Sequence, residues 1–77
     1  MLNPLLYREN LNKKMIKYHI SGNTKGLLES YIQASNISEN TNEKAFFLTQ
    51  SYVFSLELGK SELSEYIFKQ LRELKRI

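Results

Sequence analysis

Apolar residues recur at α-helical spacing along most of this 77-residue chain, and this periodicity constrains its fold more than any other feature. Two segments near the ends of the chain carry apolar residues separated by four, four and three positions. These are Tyr7, Leu11, Met15 and Tyr18, and Leu63, Ile67, Leu71 and Leu74. Such spacing places the side chains on one face of a helix. The periodicity therefore predicts an all-α protein.

Three interruptions divide the periodic segments into four predicted helices. Gly22 and Gly59 lie at two of them, where glycine can adopt the left-handed conformation that ends a helix. The third is a polar stretch around residues 36–42. We expect one domain over residues 1–77, with a helical hairpin at about 4–35, a linker at about 36–42 and a second hairpin at about 43–76. The two antiparallel hairpins would form a repeat-like stack or a small orthogonal bundle.

Polar residues at the predicted helix starts are suitable caps, because their side chains can accept hydrogen bonds from free backbone amides. Asn3 precedes Pro4, which suits the first helical position. Asn23 or Thr24 is the predicted cap of the second helix and Ser61 that of the fourth. Asn40 with Glu43 three residues later resembles a capping box for the third.

The third helix is apolar around most of its circumference. One stripe contains Phe47, Ser51, Phe54 and Leu58, and another contains Leu48, Tyr52 and Leu56. A helix of this kind must be covered on more than one side. The sequence leaves open whether the second stripe is covered by Leu2, Leu5, Leu6 or the first helix, or is available to a partner.

The residues needed for catalysis or metal binding are sparse. The chain has one histidine, no cysteine and no aspartate, and its glutamates are scattered singly. Acid–base and nucleophilic sites need several titratable groups held together, so we expect no enzyme, no cofactor, no metal site and no small-molecule substrate. The lack of a leader and of a long apolar run predicts a cytoplasmic protein without a membrane partner.

Two segments about 36 residues apart match each other, a period typical of helical repeats. The first is Leu11, Met15, Tyr18, Gly22, Leu27, Tyr31 and Ala34; the second is Phe47, Ser51, Phe54, Gly59, Ser64, Phe68 and Leu71, with one extra residue before the turn. This pattern resembles the tetratricopeptide repeat, although Met15 and Leu27 stand where that family has small residues.

The resemblance implies a concave surface lined by the first helix of each repeat. Carried over by position, that surface would contain Asn12, Ile16 and His19 from the first repeat and Leu48, Tyr52 and Ser55 from the second. It also implies that the stripe containing Phe47 is buried inside its own hairpin, which leaves the stripe ending at Leu56 for a partner. The candidate partner-binding residues are therefore Ile16, His19, Leu48, Tyr52, Ser55 and Leu56.

These features favour a protein–protein interaction module, such as a small adaptor or chaperone-like protein that docks a partner's apolar helix or peptide. Two alternatives remain open. A nucleic-acid-binding or regulatory protein would use the basic cluster of Arg8, Lys13, Lys14 and Lys17, within a net charge of +3. A self-assembling structural subunit would exploit the alternation of basic ends and an acidic middle along the chain. A chain this short without cysteine also favours stabilisation by association.

Overall fold

The computed structural model describes residues 4–76, and this part of the chain is all-α, as predicted. Its four helices are α1 (Pro4–Ser21), α2 (Thr24–Asn36), α3 (Thr41–Glu57) and α4 (Ser61–Glu73). The predicted cap Asn3, and Leu2, one of the residues that could have covered the second stripe of α3, lie outside the described residues.

Glycine ends the first and third helices as the sequence predicts. Gly22 and Gly59 both have a φ of 68°, in the left-handed region that side chains with a Cβ rarely adopt. Directly after Gly22, the Asn23 side-chain oxygen accepts a hydrogen bond from the Gly26 amide at 2.9 Å. Asn23, and not Thr24, therefore caps α2.

The start of α3 departs in part from a capping box. The Asn40 side-chain oxygen accepts a hydrogen bond from the Glu43 amide at 2.8 Å, as expected. The Glu43 carboxylate, however, accepts a hydrogen bond from the guanidinium of Arg8 at 3.2 Å. The predicted cap Ser61 is wrong, because α4 begins at Ser61 itself after Lys60, whose side chain makes no capping hydrogen bond.

The helices pack in chain order, with α1 against α2, α2 against α3, and α3 against α4. Within residues 4–76, no other pair of helices brings its backbones as close. The molecule measures 31 × 28 × 19 Å, so its thinnest dimension is about two helix diameters. This order leaves α1 and α4 as the outer helices.

Two separate apolar clusters hold the stack together. One joins the first three helices through buried Leu11, Met15 and Ala34, with Phe47 packed against them. The other joins α3 to α4, and its buried members are Ala45, Leu48, Ile67 and Leu71. Helix α3 contributes opposite faces to the two clusters, which explains its apolar circumference.

The structure differs from the prediction at three residues of the two stripes on α3. Phe47 and Phe54 were expected inside their own hairpin, but their rings pack on Tyr31 of α2, with centroids 5.9 and 5.4 Å away. Leu48, expected to be left for a partner, packs instead against Ile67 of α4. The prediction is wrong for these three residues because both stripes are apolar, and apolar spacing alone does not determine which neighbouring helix each stripe faces.

Candidate protein-binding surface

Small polar residues let α3 and α4 approach closely at the closed end of their hairpin. Ser55 and Ser64 are buried, and their hydroxyl oxygens lie 2.7 Å apart. Each hydroxyl also lies within hydrogen-bonding distance of a nearby carbonyl, that of Tyr52 on α3 for Ser55 and that of Lys60, directly before α4, for Ser64. The buried serines are therefore satisfied within the fold and need no ligand.

Two predicted partner-binding residues thus lie in the interior. Leu48 is 2% exposed and Ser55 is 0% exposed. The expectation that Leu48 belongs to an accessible stripe is wrong, because α4 covers it. Neither side chain can touch a partner while the hairpin stays closed.

An open groove of about 800 Å³ runs along the outer side of the α3–α4 hairpin. Helix α3 supplies two of its residues and α4 supplies the others. The lining consists of Tyr52, Leu56, Ser61, Ser64, Glu65, Phe68, Lys69, Arg72 and Glu73. At 1.5 Å per residue, the α4 edge from Ser61 to Arg72 is about 16 Å long, or three helical turns.

The apolar part of the groove is an aromatic pair beside an exposed leucine. The rings of Tyr52 and Phe68 lie 5.8 Å apart, with 43° between their planes. Both residues are half-buried, and Leu56 is 54% exposed. Two predicted partner-binding residues, Tyr52 and Leu56, are therefore brought together here.

Four charged residues border these apolar side chains. Glu65, Lys69, Arg72 and Glu73 all belong to α4 and line the groove. Among the residues described, none of the four forms an ion pair. Their charges are available to a molecule that enters the groove.

The other two predicted partner-binding residues, Ile16 and His19, lie elsewhere. Both are on α1, which makes no close backbone approach to α3 or α4 in the described residues. Ile16 is 60% exposed. A ring nitrogen of His19 lies 3.0 Å from the Tyr31 hydroxyl, and burial raises the pKa of that hydroxyl. Ile16 and His19 are therefore not part of the groove.

The four predicted polyanion contacts do not form one exposed cluster. Lys13, Lys14 and Lys17 are exposed on α1. Arg8 instead donates hydrogen bonds to the Ile37 carbonyl at 2.7 Å and to the Glu43 carboxylate at 3.2 Å. The guanidinium of Arg8 links α1 to the α2–α3 connection and to the start of α3. Because Arg8 is engaged in this way, the exposed basic cluster consists of the three lysines.

Sequence reasoning missed Phe68, Glu65 and Arg72 as groove residues. A signal was present, because Phe68 is a large apolar residue outside the inward stripe that contains Ile67 and Leu71. An aromatic side chain beside a complete helical stripe faces a second surface. The sequence did not indicate Glu65 or Arg72 as groove residues, because charged side chains are common on any solvent-facing side of a helix.

Residues 4–76 lack the features of a metal site and of a membrane-spanning helix. Between residues 4 and 76, no group of acidic, histidine or cysteine side chains is arranged to hold a metal ion. No helix in the same range is both long and apolar enough to span a membrane. The chain matches no family model, no curated protein and no solved structure.

Proposed function

We propose that this protein is a non-enzymatic protein-binding module that docks one face of an amphipathic helix in the groove between α3 and α4. The observation that carries the proposal is the cluster of Tyr52, Phe68 and exposed Leu56 in an open groove. Aromatic residues that are partly buried in a concave surface are typical anchors of protein interfaces.

The length and openness of the groove suit a helix better than a small molecule. Its α4 edge covers about three turns, which matches the i, i+3, i+4 and i+7 contacts of helix-in-groove recognition. Small-molecule sites usually enclose most of the ligand and aim a few polar groups at it. Here the polar groups are charged side chains along the rim, an arrangement common around protein interfaces.

This surface supports protein binding more strongly than nucleic-acid binding. The engaged guanidinium of Arg8 leaves Lys13, Lys14 and Lys17 as the basic cluster of α1. Few phosphate contacts give weak binding, because the electrostatic affinity grows with the number of phosphates neutralised. The role we propose is that of an adaptor or small chaperone-like protein in the cytoplasm.

Site-specific photo-crosslinking tests the docking function directly. A photoreactive amino acid at position 56 of the full chain should give discrete protein adducts in the cells that make the protein. Phe68→Ala in the same chain should reduce these adducts, because it removes half of the aromatic pair. The matched control places the same group at position 20, since Ile20 is 82% exposed on α1. The proposal would be contradicted if Phe68→Ala left the amount of adduct unchanged, or if positions 56 and 20 gave equal labelling.

A further inference from the structure

The charges on α4 are arranged in a definite order along the helix. Its first half carries Glu62 and Glu65, and its second half carries Lys69 and Arg72. Phe68 lies between the two halves and faces the groove. Glu65, Phe68 and Arg72 are separated by three and four residues, so they form one stripe along the groove.

This order is complementary to itself in an antiparallel arrangement. When two copies of α4 cross antiparallel with the crossing point between Phe68 and Lys69, Glu65 of one copy lies opposite Arg72 of the other. Two-fold symmetry makes the same contact a second time. Glu73 breaks the charge order, and in this register it lies level with Ser64 of the second copy, one position from Glu65. Lys69 lies next to the axis and so comes near Lys69 of the second copy, and the Glu65–Arg72 contacts are the ones that join opposite charges.

We propose that the groove between α3 and α4 is a two-fold homodimer interface, in which Phe68 lies at the centre and Glu65 pairs with Arg72 of the second copy. This inference rests on the proposed function, since it names the helix that the groove docks. The occupant is α4 of a second copy of this chain, and its Phe68 is the apolar side chain that packs beside Tyr52 and Leu56.

One observation and two general properties of small proteins favour a second copy over an unrelated helix. The four charged groups of the groove have no ion-pair partner within the described residues, and a second copy provides partners of the opposite sign for Glu65 and Arg72. Contacts in which the same patch is used by both subunits are the commonest in homo-oligomers. Association also adds buried apolar surface to a chain of 77 residues without cysteine.

Charge reversal followed by sedimentation equilibrium of the full chain tests the proposal. The concentration range should span about 10 µM to 1 mM, where a weak dimer dissociates measurably. The wild-type mass should rise from one chain towards two. Glu65→Arg and Arg72→Glu should each raise the dimer dissociation constant about tenfold or more, because each places two like-charged pairs across the axis.

The decisive measurement mixes the two variants in equal amounts. In a mixed dimer both symmetry-related contacts again join opposite charges, so association should return to the wild-type level. The double variant Glu65→Arg with Arg72→Glu should also dimerise alone. Matched controls are Glu29→Arg and Lys14→Glu, which reverse exposed charges on α2 and α1 and should leave the dissociation constant unchanged. Circular dichroism verifies that every variant keeps its helices.

The outcomes separate this inference from the proposed function. A wild-type chain that is monomeric throughout the range overturns the homodimer, while Phe68-dependent adducts to another protein from position 56 would still support docking. A dimer that Lys14→Glu dissociates, or that neither α4 reversal affects, uses another surface and also overturns the inference. If the mixed variants fail to associate, the homodimer inference is also overturned. If position 56 gives no specific adduct of any kind, the docking function fails as well.

Discussion

Helices α2 and α4 have the same length and the same place in their hairpins, yet they are buried very differently. Each contains 13 residues. The buried residues of α2 are Gly26, Leu27, Leu28, Ser30, Ala34 and Ser35, whereas those of α4 are Ser64, Ile67 and Leu71. Helix α2 packs between α1 and α3, and α4 packs on α3 alone. The number of neighbouring helices accounts for the difference.

The aromatic residues at matching positions of the two helices show the same contrast. Tyr31 of α2 has the rings of His19, Phe47 and Phe54 within 6 Å. Phe68 of α4 has the ring of Tyr52 at 5.8 Å and otherwise faces the open groove. Equivalent residues therefore pack into the contact between the hairpins on α2 and form the candidate binding surface on α4.

The largest effect should come from Ile67→Ala, which tests how α4 is held to the stack. Ile67 is 1% exposed and lies in the cluster that joins α4 to its single neighbour. Truncating a buried isoleucine costs about 2–5 kcal/mol, and we expect a loss of about 3 kcal/mol in the free energy of unfolding by urea. Tyr66→Ala is the matched control on α4, because Tyr66 is 60% exposed. Similar losses from both variants would mean that α4 is not anchored through this cluster.

The comparison itself is tested by Tyr31→Ala against Phe68→Ala. Tyr31→Ala removes ring contacts to two helices and should lower the free energy of unfolding by about 3 kcal/mol. Phe68→Ala removes one ring contact at an open groove, and for a half-buried side chain we expect about 1 kcal/mol. The measurement is urea denaturation of dilute protein, so that association does not contribute. An equal or larger loss from Phe68→Ala would show that the groove residues are mainly structural.

A smaller effect should come from Gly26→Ala, which tests the close approach of α1 to α2. A Cβ on Gly26 would lie 2.7 Å from the Tyr18 ring, so the ring must move. Overpacking costs about 1–3 kcal/mol, and the better helix propensity of alanine returns about 1 kcal/mol, which leaves a net loss of about 1 kcal/mol.

The control for Gly26→Ala is the same substitution in a Tyr18→Ala background. Without the ring, alanine should stabilise α2 by its helix propensity, and the sign of the effect should reverse. Thermal denaturation of the four chains measures this coupling. A loss that is the same in both backgrounds would place the cost of Gly26→Ala outside the α1–α2 contact.

Much of the fold could be predicted from local patterns. The left-handed glycines 22 and 59 and the caps Asn23 and Asn40 act within a few residues of themselves, so their effects are visible in the sequence. The inward stripe of α4 was likewise correct, because its apolar residues lie on a single face.

The candidate site was predicted only in part. Tyr52 and Leu56 line the groove, but Leu48 belongs to the core and Ile16 lies on another helix. Arg8 was grouped with neighbouring lysines by sequence, while its actual partners are 29 and 35 residues away. Such long-range pairing has no local signal, so proximity in the sequence grouped the wrong residues.

The sequence by itself determined that this chain forms helices, where they end and which of their faces are apolar, because those properties depend on backbone preference and short-range spacing. Only the tertiary structure decided which apolar face meets which neighbour. Hydrophobic attraction has no direction, so either apolar stripe of α3 could pack on either neighbouring helix. In the structure the stripe containing Phe47 packs on Tyr31 of α2, and Leu48 of the other stripe packs on the aliphatic side chains of α4. The groove beside Phe68 follows from this packing, because α4 has one neighbouring helix and its Phe68 side chain is left uncovered.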